Sequence, residues 1–598
     1  MGRIEGPRQP IKQICPLFTF IMKNNRTAVI TLSLLIVLYA GLSFFMSSII
    51  EEDAFIYFRC AENIIQGNGY VFNPGGEHIE ACSSVTWLFM LVVVGWLGFN
   101  IIISAKVLGI LCGAVSLILI YKIMEAFTDE MPWVMVPSFL MLVTPPFIMW
   151  NQMGLETALY TVIFLWLVSI SLSEASCIKY WPAVAGLLIT TRPEGFFLLL
   201  GLIPAFCVYR HKKKALQYSC AAFFVIALLL FLLRFFYFHD FLPNPFYLKI
   251  RPSQYYEYLS YLHRCFRDYY LYYFFIPLAF FFFKKENWKR KRLILFGFII
   301  IYLLWVVRAG ADYKPLYRHL IPLFPLFYIY IISGIVNLSW QPSFKKQVIA
   351  ASFVFLFASA VFLFSPIRWY LEDPLPNFIL SKWQQFAREP QRYITLCFKR
   401  MTEPATYDAT DQQDYQVLLG KFIRRNYKSG STFVYDQMGR VPYFAGTNIN
   451  FIDSVGLTDK VIGRPRFYYK CQNSPLLWFY ETISRHIIKT VFPGHNTFSF
   501  TKEALMNYVF EKNPEVIMCF VIMGPPVISF LAEDSRFNHN YQLKYFINGT
   551  LIFERKGLIA KPLDIPEGLT VVYEQDIFKD PYLSSHPLVS AVKKYGGY

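Results

Sequence analysis

Long apolar stretches separated by short polar loops fill the first 366 positions, and after them the chain shows short apolar runs between dispersed charges. An apolar stretch of roughly 20 residues is long enough for an α-helix to cross a bilayer core. By that measure the pattern predicts about eleven spans. They fall near 28–50, 101–122, 131–150, 154–172, 180–191, 194–209, 215–237, 269–283, 293–308, 320–338 and 347–366. The run 84–99 is apolar but short and follows a polar loop, so it reads as a juxtamembrane or re-entrant helix. A rival reading makes it a true span and fuses 180–209 into one long helix broken at Pro193. Beyond 367 the pattern turns α/β. Residues 414–427 suit a helix, 431–435 a strand, 502–512 a helix and 515–521 a strand, and 545–554 is a hairpin turning at Asn548-Gly549. The expected fold is therefore an α-helical polytopic membrane domain over 1–366, with a polar loop at 51–100, followed by a soluble α/β domain over 367–598.

Composition supports that division. The chain is 55% apolar and 19% aromatic, more than a soluble domain of this kind can hide. The net charge of +17 suggests nucleic acid at first sight. Its distribution argues otherwise. The clusters Arg210–Lys214, Lys284-Lys285 with Lys289–Arg292, and Lys345-Lys346 each lie between two apolar spans. That is the bias of cytoplasmic loops, so the partners expected are membrane lipids and no nucleic acid. Arg3, Arg8, Lys12, Lys23 and Arg26 precede the first apolar run, which is too long for a signal peptide and ends without a small-residue cleavage site. It reads as an uncleaved span with its N-terminus inside, which places the C-terminal domain outside. The eleven cysteines form no zinc-like spacing, so no metal site is implied. Cys60 and Cys82 share one loop and could pair, although free buried thiols are the simpler reading.

The loop after the first span opens with Glu51-Glu52-Asp53 and reaches Arg59 within two helical turns. If 53–66 is helical, Ala54, Phe55 and Phe58 form one apolar face suited to a bilayer surface. A carboxylate and a guanidinium in one pocket suit sugar transfer. The carboxylate takes the proton of an acceptor hydroxyl, and the guanidinium holds a leaving phosphate. A solvated acidic loop explains the same residues without chemistry. Gln152–Thr157, with Glu156, lies between two spans, and Arg192-Pro193-Glu194 interrupts an apolar tract. Charges there are costly and suggest function, or an internal ion pair. Asn244 and Lys249 stand in one later outer loop, and Arg308, Asp312, Arg318 and His319 in another.

The segments EDAFIYFR, NGYVFNPGGEHIEACSSVTW, GLETALY, TRPEG, LPNPFYLK, ADYKPLYRHLIP and DQMGRVPYFAG, with DSVGLTDKVIG after them, occur in that order. Together they resemble the GT-C superfamily of polytopic glycosyltransferases, and within it the family of the mycobacterial terminal arabinofuranosyltransferase. The likeness runs from about residue 50 to 465. It implies a polyprenyl-phosphate sugar donor, a periplasmic active site, inversion at the transferred sugar, and a glycan, lipid or protein acceptor in the cell envelope. It also implies a bacterial inner membrane enzyme. The acidic pair becomes Glu52 and Asp53, where the family more often has two aspartates. Arg59, Arg192, Lys249, Arg318 and His319 become candidates for the donor phosphate, and Glu156, Glu194, Asn244 and Asp312 for the rest of the pocket. Asp53, the shorter and unchanged member of the pair, is the expected base. No cofactor is required, and a divalent cation is left open. The resemblance favours the juxtamembrane reading of 84–99, which brings Glu156 to the same side as the acidic pair. A lipid-sugar transporter or flippase is the rival function. It would carry charges in its spans, but it has no need of an outer domain of this size, and no inverted repeat is visible.

Overall fold

The computed structural model describes residues 26–45, 49–172, 180–198, 213–249, 255–272, 290–309, 314–338, 375–395, 414–464, 475–491, 501–521, 526–558 and 562–595, together with 352, 354–359, 361 and 363. The first half is helical. It runs α1 (Arg26–Phe45), α2 (Ala54–Ile65), α3 (Val85–Trp96), α4 (Ile101–Glu125), α5 (Met131–Leu142), α6 (Pro145–Trp150), α7 (Thr157–Leu172) and α8 (Trp181–Thr191). Helices Lys213–Phe238, Arg290–Ala309 and Phe324–Leu338 follow. Among the described residues, four helical stretches are long and apolar enough to cross a membrane: Arg26–Phe44, Ile101–Glu125, Cys220–Phe238 and Leu316–Val336.

Prolines set the breaks. The span expected at 131–150 is two helices, because Pro145 and Pro146 cannot continue α5 and instead start α6. The tract 180–209 breaks as expected. Arg192 adopts an extended conformation before Pro193, and a new helical turn begins at Gly195. The run 84–99 is a separate helix, with the Ser84 hydroxyl accepting from the Trp87 amide as its N-cap. Most of the expected spans 269–283 and 347–366 lies outside the described residues.

One expectation is overturned. α2 does not lie on a bilayer surface, because protein surrounds it. Ala54, Phe55, Ile56, Tyr57, Phe58, Arg59, Cys60, Ala61 and Asn63 are all buried. Phe55 meets Tyr443 and Phe444 with ring centroids 5.4 and 5.6 Å apart. An apolar helical face cannot declare whether lipid or protein will cover it. Cys60 and Cys82 are free buried thiols.

The later half contains a six-stranded sheet in the order β2-β1-β3-β5-β4-β6. Its strands are β1 (Thr432–Tyr435), β2 (Asn450–Asp453), β3 (Val516–Phe520), β4 (Tyr541–Ile547), β5 (Thr550–Arg555) and β6 (Val571–Tyr573). β1, β2 and β3 are parallel, and the other pairings are antiparallel. The β4–β5 turn at Asn548-Gly549 has positive φ at both residues, the conformation a two-residue hairpin with this twist demands. Alternate strand residues face two cores. Val434, Ile517, Cys519 and Phe553 pack against the domain's own helices. Phe433, Tyr435, Met518 and Ile552 join a core continuous with the helical bundle. The sheet is thus fused to the bundle through one of its faces, and its parallel carboxyl end points at the first polar loop.

Candidate active site

The acidic residues Glu51, Glu52 and Asp53 sit where the chain turns from α1 into α2. The Glu51 amide donates to the Met153 carbonyl at 3.1 Å, which joins this turn to the α6–α7 loop. Gly154 in that loop has a φ of 77°, and a Cβ there would come within 3.1 Å of Ala54 and 3.2 Å of Phe58, so a side chain would be both strained and crowded. The Trp87 indole donates to its carbonyl at 3.0 Å. Three elements of the bundle are pinned here before any charge is counted.

The charges form two clusters on this frame. In the first, Lys314 Nζ lies 2.6 Å from Glu51 Oε1 and 3.3 Å from Asp53 Oδ2. The Gly439 amide donates to Glu52 Oε1 at 2.7 Å. A Cβ at position 439 would overlap the backbone and carboxylate of Glu52, so glycine allows this approach. Burial and the like charge of Asp53 push the Glu52 carboxyl up to about 7, against the pull of Lys314, Arg440 and the Gly439 amide. In the second cluster, Arg192 Nε donates to Glu156 Oε1 at 2.8 Å, Nη2 to Thr157 Oγ1 at 3.2 Å, and Nη1 to Glu194 Oε1 at 3.3 Å. Arg318 is buried over the Trp150 ring, 5.4 Å from its centroid, and acts electrostatically on both Glu156 and Arg192. Burial opposes the Glu156 carboxylate, but Arg192 and Arg318 outweigh it and hold the carboxyl below its usual range. The clusters share the loop 151–157 and the segment 314–318, so Glu156 stands at the same end of the bundle as the acidic pair.

Several expected residues lie elsewhere. Arg59 is fully buried among backbone carbonyls: Phe72 at 2.9 Å, Pro442 at 2.5 Å, Gly446 at 2.9 Å and Ile449 at 2.6 Å. Its donors join the first loop to the C-terminal domain, which gives it a clamping role in place of phosphate binding. Asn244 does the same, donating to the Gly456 and Leu457 carbonyls at 2.8 and 2.7 Å. His319 packs on Trp305, ring centroids 5.4 Å apart. The Lys249 side chain and Asp312 lie outside the described residues.

Lys314 and Arg440 escaped the sequence reading, whereas Asp436 is one of three acids, with Asp453 and Asp459, that the sequence marks either as returning over the site or as ordinary α/β loop acids. Lys314 stands between two carboxylates, yet in the sequence it is one of several basic residues in its loop. Arg440 links the Asp414 carboxylate at 2.7 Å to the Ile50 carbonyl at 2.5 Å. Asp436 follows β1 and accepts from the Phe520 amide at 3.0 Å, while its Oδ1 is buried without a partner. Burial pushes its carboxyl up to about 7. Among the described residues no three metal-ligating side chains converge. The ammonium of Lys314 already supplies a cation between Glu51 and Asp53.

ArnT from Cupriavidus metallidurans, solved bound to undecaprenyl phosphate, superposes with a TM-score of 0.53 over 89% of this chain and 99% of that one, at 13% identity. The chain has the GT-C fold. AglB, an oligosaccharyltransferase from Archaeoglobus fulgidus solved with an inhibitory peptide and a dolichol-phosphate, shares it with a TM-score of 0.50 and 10% identity, over 94% of this chain and 77% of that one. The terminal β-(1→2)-arabinofuranosyltransferase of Mycobacterium tuberculosis (strain ATCC 25618 / H37Rv) is 45% identical over 49 residues, which are 8% of this chain and 8% of that protein. Residues 405–556 match a family described as a domain of unknown function, DUF8728. In the GT-C frame this match covers β1 to β5 and the Gly439 loop that meets Glu52.

Proposed function

We propose that the chain is a membrane glycosyltransferase that moves a sugar from a polyprenyl-phosphate donor to an envelope glycan, lipid or protein acceptor, with inversion. The observation that carries the proposal is the pair Glu52 and Asp53 at one end of a GT-C bundle, partnered by Lys314 and covered by the Gly439 loop. The similarity to ArnT bound to undecaprenyl phosphate supports a lipid-linked donor. The charge pattern of the loops supports an inner membrane location with this end periplasmic.

In this reading a carboxylate of the pair takes the acceptor's hydroxyl proton. The acceptor oxygen then attacks the anomeric carbon, and the bond from that carbon to the phosphate oxygen breaks to release polyprenyl phosphate. A base works best with a pKa near the working pH, which favours Glu52. Asp53, beside the Lys314 ammonium, holds Glu52 up by like charge. Arg192 and Arg318, which act on Glu156, are the leading candidates for the leaving phosphate, and Lys249 and His319 stay candidates on the sequence. Losing one such contact typically lowers the rate by about 10²–10³.

The test is a pH–rate profile with a polyprenyl-phosphate sugar donor. The base must be unprotonated, so activity should fall as pH drops through about 7. Removing the like charge with Asp53→Asn should move that limb to lower pH, and Lys314→Gln should move it higher. Glu52→Gln should abolish transfer while sparing donor binding. A dead Asp53→Asn beside an active Glu52→Gln would make Asp53 the base. Full activity in both would remove the pair from the mechanism.

A further inference from the structure

A cavity opens at the opposite end of α2 from the acidic pair, beside Glu62, Ile65 and Gln66. It encloses about 770 Å³ between the first loop, the ends of α3 and α4, and the C-terminal domain. Lys421, Arg424, Glu62, Tyr443, Asn100 and Phe99 are among its walls. The sugar-transfer reading uses none of them.

Its depth in the membrane follows from its neighbours. Asn100 caps the N-terminus of α4, its side chain accepting from the Ile103 amide at 3.1 Å. α4 then runs for 25 apolar-rich residues, enough to cross the bilayer. Residue 100 therefore lies at the membrane–water boundary. Trp96, Leu97 and Phe99 are exposed just before it, with Trp96 77% accessible. An exposed tryptophan at the head of a span is the pattern of an interfacial anchor. The cavity thus opens at headgroup level, beside apolar side chains at the end of α3.

Its charge is complementary to a phosphate. Lys421 and Arg424 are three residues apart on the helix Tyr415–Asn426, so they share one face. The carboxylate opposite them, Glu62, is already bonded to the Tyr443 hydroxyl and lies close enough to Arg424 to feel its charge. Two cations face one engaged carboxylate. Asn100, Gln66, Thr447 and Asn448 add polar groups suited to hydroxyls, and the volume falls within the roughly 300–1,000 Å³ typical of small-ligand sites.

We propose that this cavity binds the phosphate headgroup of an anionic phospholipid whose acyl chains lie against the exposed apolar end of α3. Such a lipid would tie the C-terminal domain to the membrane beside the catalytic end. The inference stands apart from the sugar-transfer reading, because binding is measured without donor or acceptor.

The purified full chain is titrated in detergent with dihexanoylphosphatidylglycerol, dihexanoylphosphatidylcholine or inorganic phosphate, following thermal stability. Phosphatidylglycerol should raise Tm saturably, and the other two should not. Each cation near an anionic lipid is worth roughly a fivefold factor, so Lys421→Gln with Arg424→Gln should weaken the apparent affinity about 30-fold. Arg424 is exposed, so Arg424→Glu alone should fold with unchanged basal Tm and also lose the response. Mass spectrometry of lipids carried through purification gives a second measure, with phosphatidylglycerol depleted in Arg424→Glu. Equal responses to the two lipids, or a response that survives both variants, overturns the proposal. A full response to inorganic phosphate alone would overturn the lipid source in favour of a free phosphate.

Discussion

Two buried arginines hold this molecule together in opposite ways. Arg59 is surrounded by neutral carbonyl dipoles, most of them from the C-terminal domain. Arg192 is surrounded by carboxylates from its own bundle. Both are buried charges, and each requires partners. Carbonyls satisfy a guanidinium's donors but leave its charge intact, so the Arg59 site has no further use for an anion's geometry. Burial outweighs the nearby Cys60 and Glu62 and pulls the Arg59 guanidinium down to about 10. Carboxylates neutralise the charge and can trade it. A phosphate entering near Arg192 and Arg318 has only to compete with Glu156 and Glu194 for donors. The comparison separates a clamp from a candidate binding group, and it makes different predictions for the two residues.

The largest expected effect is at Arg59. Arg59→Ala would leave the carbonyls of Phe72, Pro442, Gly446 and Ile449 buried without that donor. An unsatisfied buried group costs about 1–3 kcal/mol. The sum is roughly 4 kcal/mol or more, so the C-terminal domain should undock, with faster proteolysis after residue 414 and a lower yield. Arg59→Lys should fail to rescue, since one ammonium cannot span a planar fork's contacts. A well-folded, stable Arg59→Ala that lacks only activity would return Arg59 to phosphate binding.

Arg192 comes next. Removing it strands Glu156 and Glu194, a loss of about 3–5 kcal/mol for a buried pair. Here a rescue is expected. Glu156→Gln combined with Arg192→Met removes the fully buried pair, leaves only the more accessible Glu194 unpaired, and should recover part of the stability without recovering transfer. Recovery of both would mean the ion pair only joins helices. Arg59 has no such double variant, because its partners are backbone.

These outcomes also measure what the sequence could disclose. The bundle and the β4–β5 hairpin were legible because apolar runs of spanning length, the stop at Pro193 and the Asn548-Gly549 turn are local signals. The meeting of Glu156 with the acidic pair was legible from loop charges and the order of the motifs. The split of 131–150 at Pro145 was written in the chain but hidden by its apolar flanks. What was not legible depends on contacts distant in sequence. Phe55 and Phe58 look the same whether lipid or Tyr443 covers them. Arg59 looks like any loop arginine until Pro442 and Ile449 arrive from the other domain. Lys314 is one cation among several, and folding alone decides which of them turns inward.

A third buried charge has neither solution in full, and it sharpens the comparison. Asp436 stands at the carboxyl end of β1 with one oxygen bonded to the Phe520 amide and the other without a partner. Backbone amides compensate it only in part, so burial raises its carboxyl from 3.8 to about 7. A raised pKa means that the folded state binds a proton that the unfolded chain releases between about pH 4 and 7. Its contribution is therefore full at acid pH and is lost as pH rises through about 7. Asp453, raised to about 6 by burial, and Glu52 act in the same direction. Tm should consequently decline between pH 5 and pH 8. Asp436→Asn keeps the shape and removes the titration. The variant should match the parent at pH 5, exceed it modestly at pH 8 and show a shallower slope, with the remainder owed to Asp453 and Glu52. An unchanged slope would mean that a counter-charge or hydrogen bond reaches the second oxygen of Asp436, and Asp436 would then belong with Arg192 among the compensated charges.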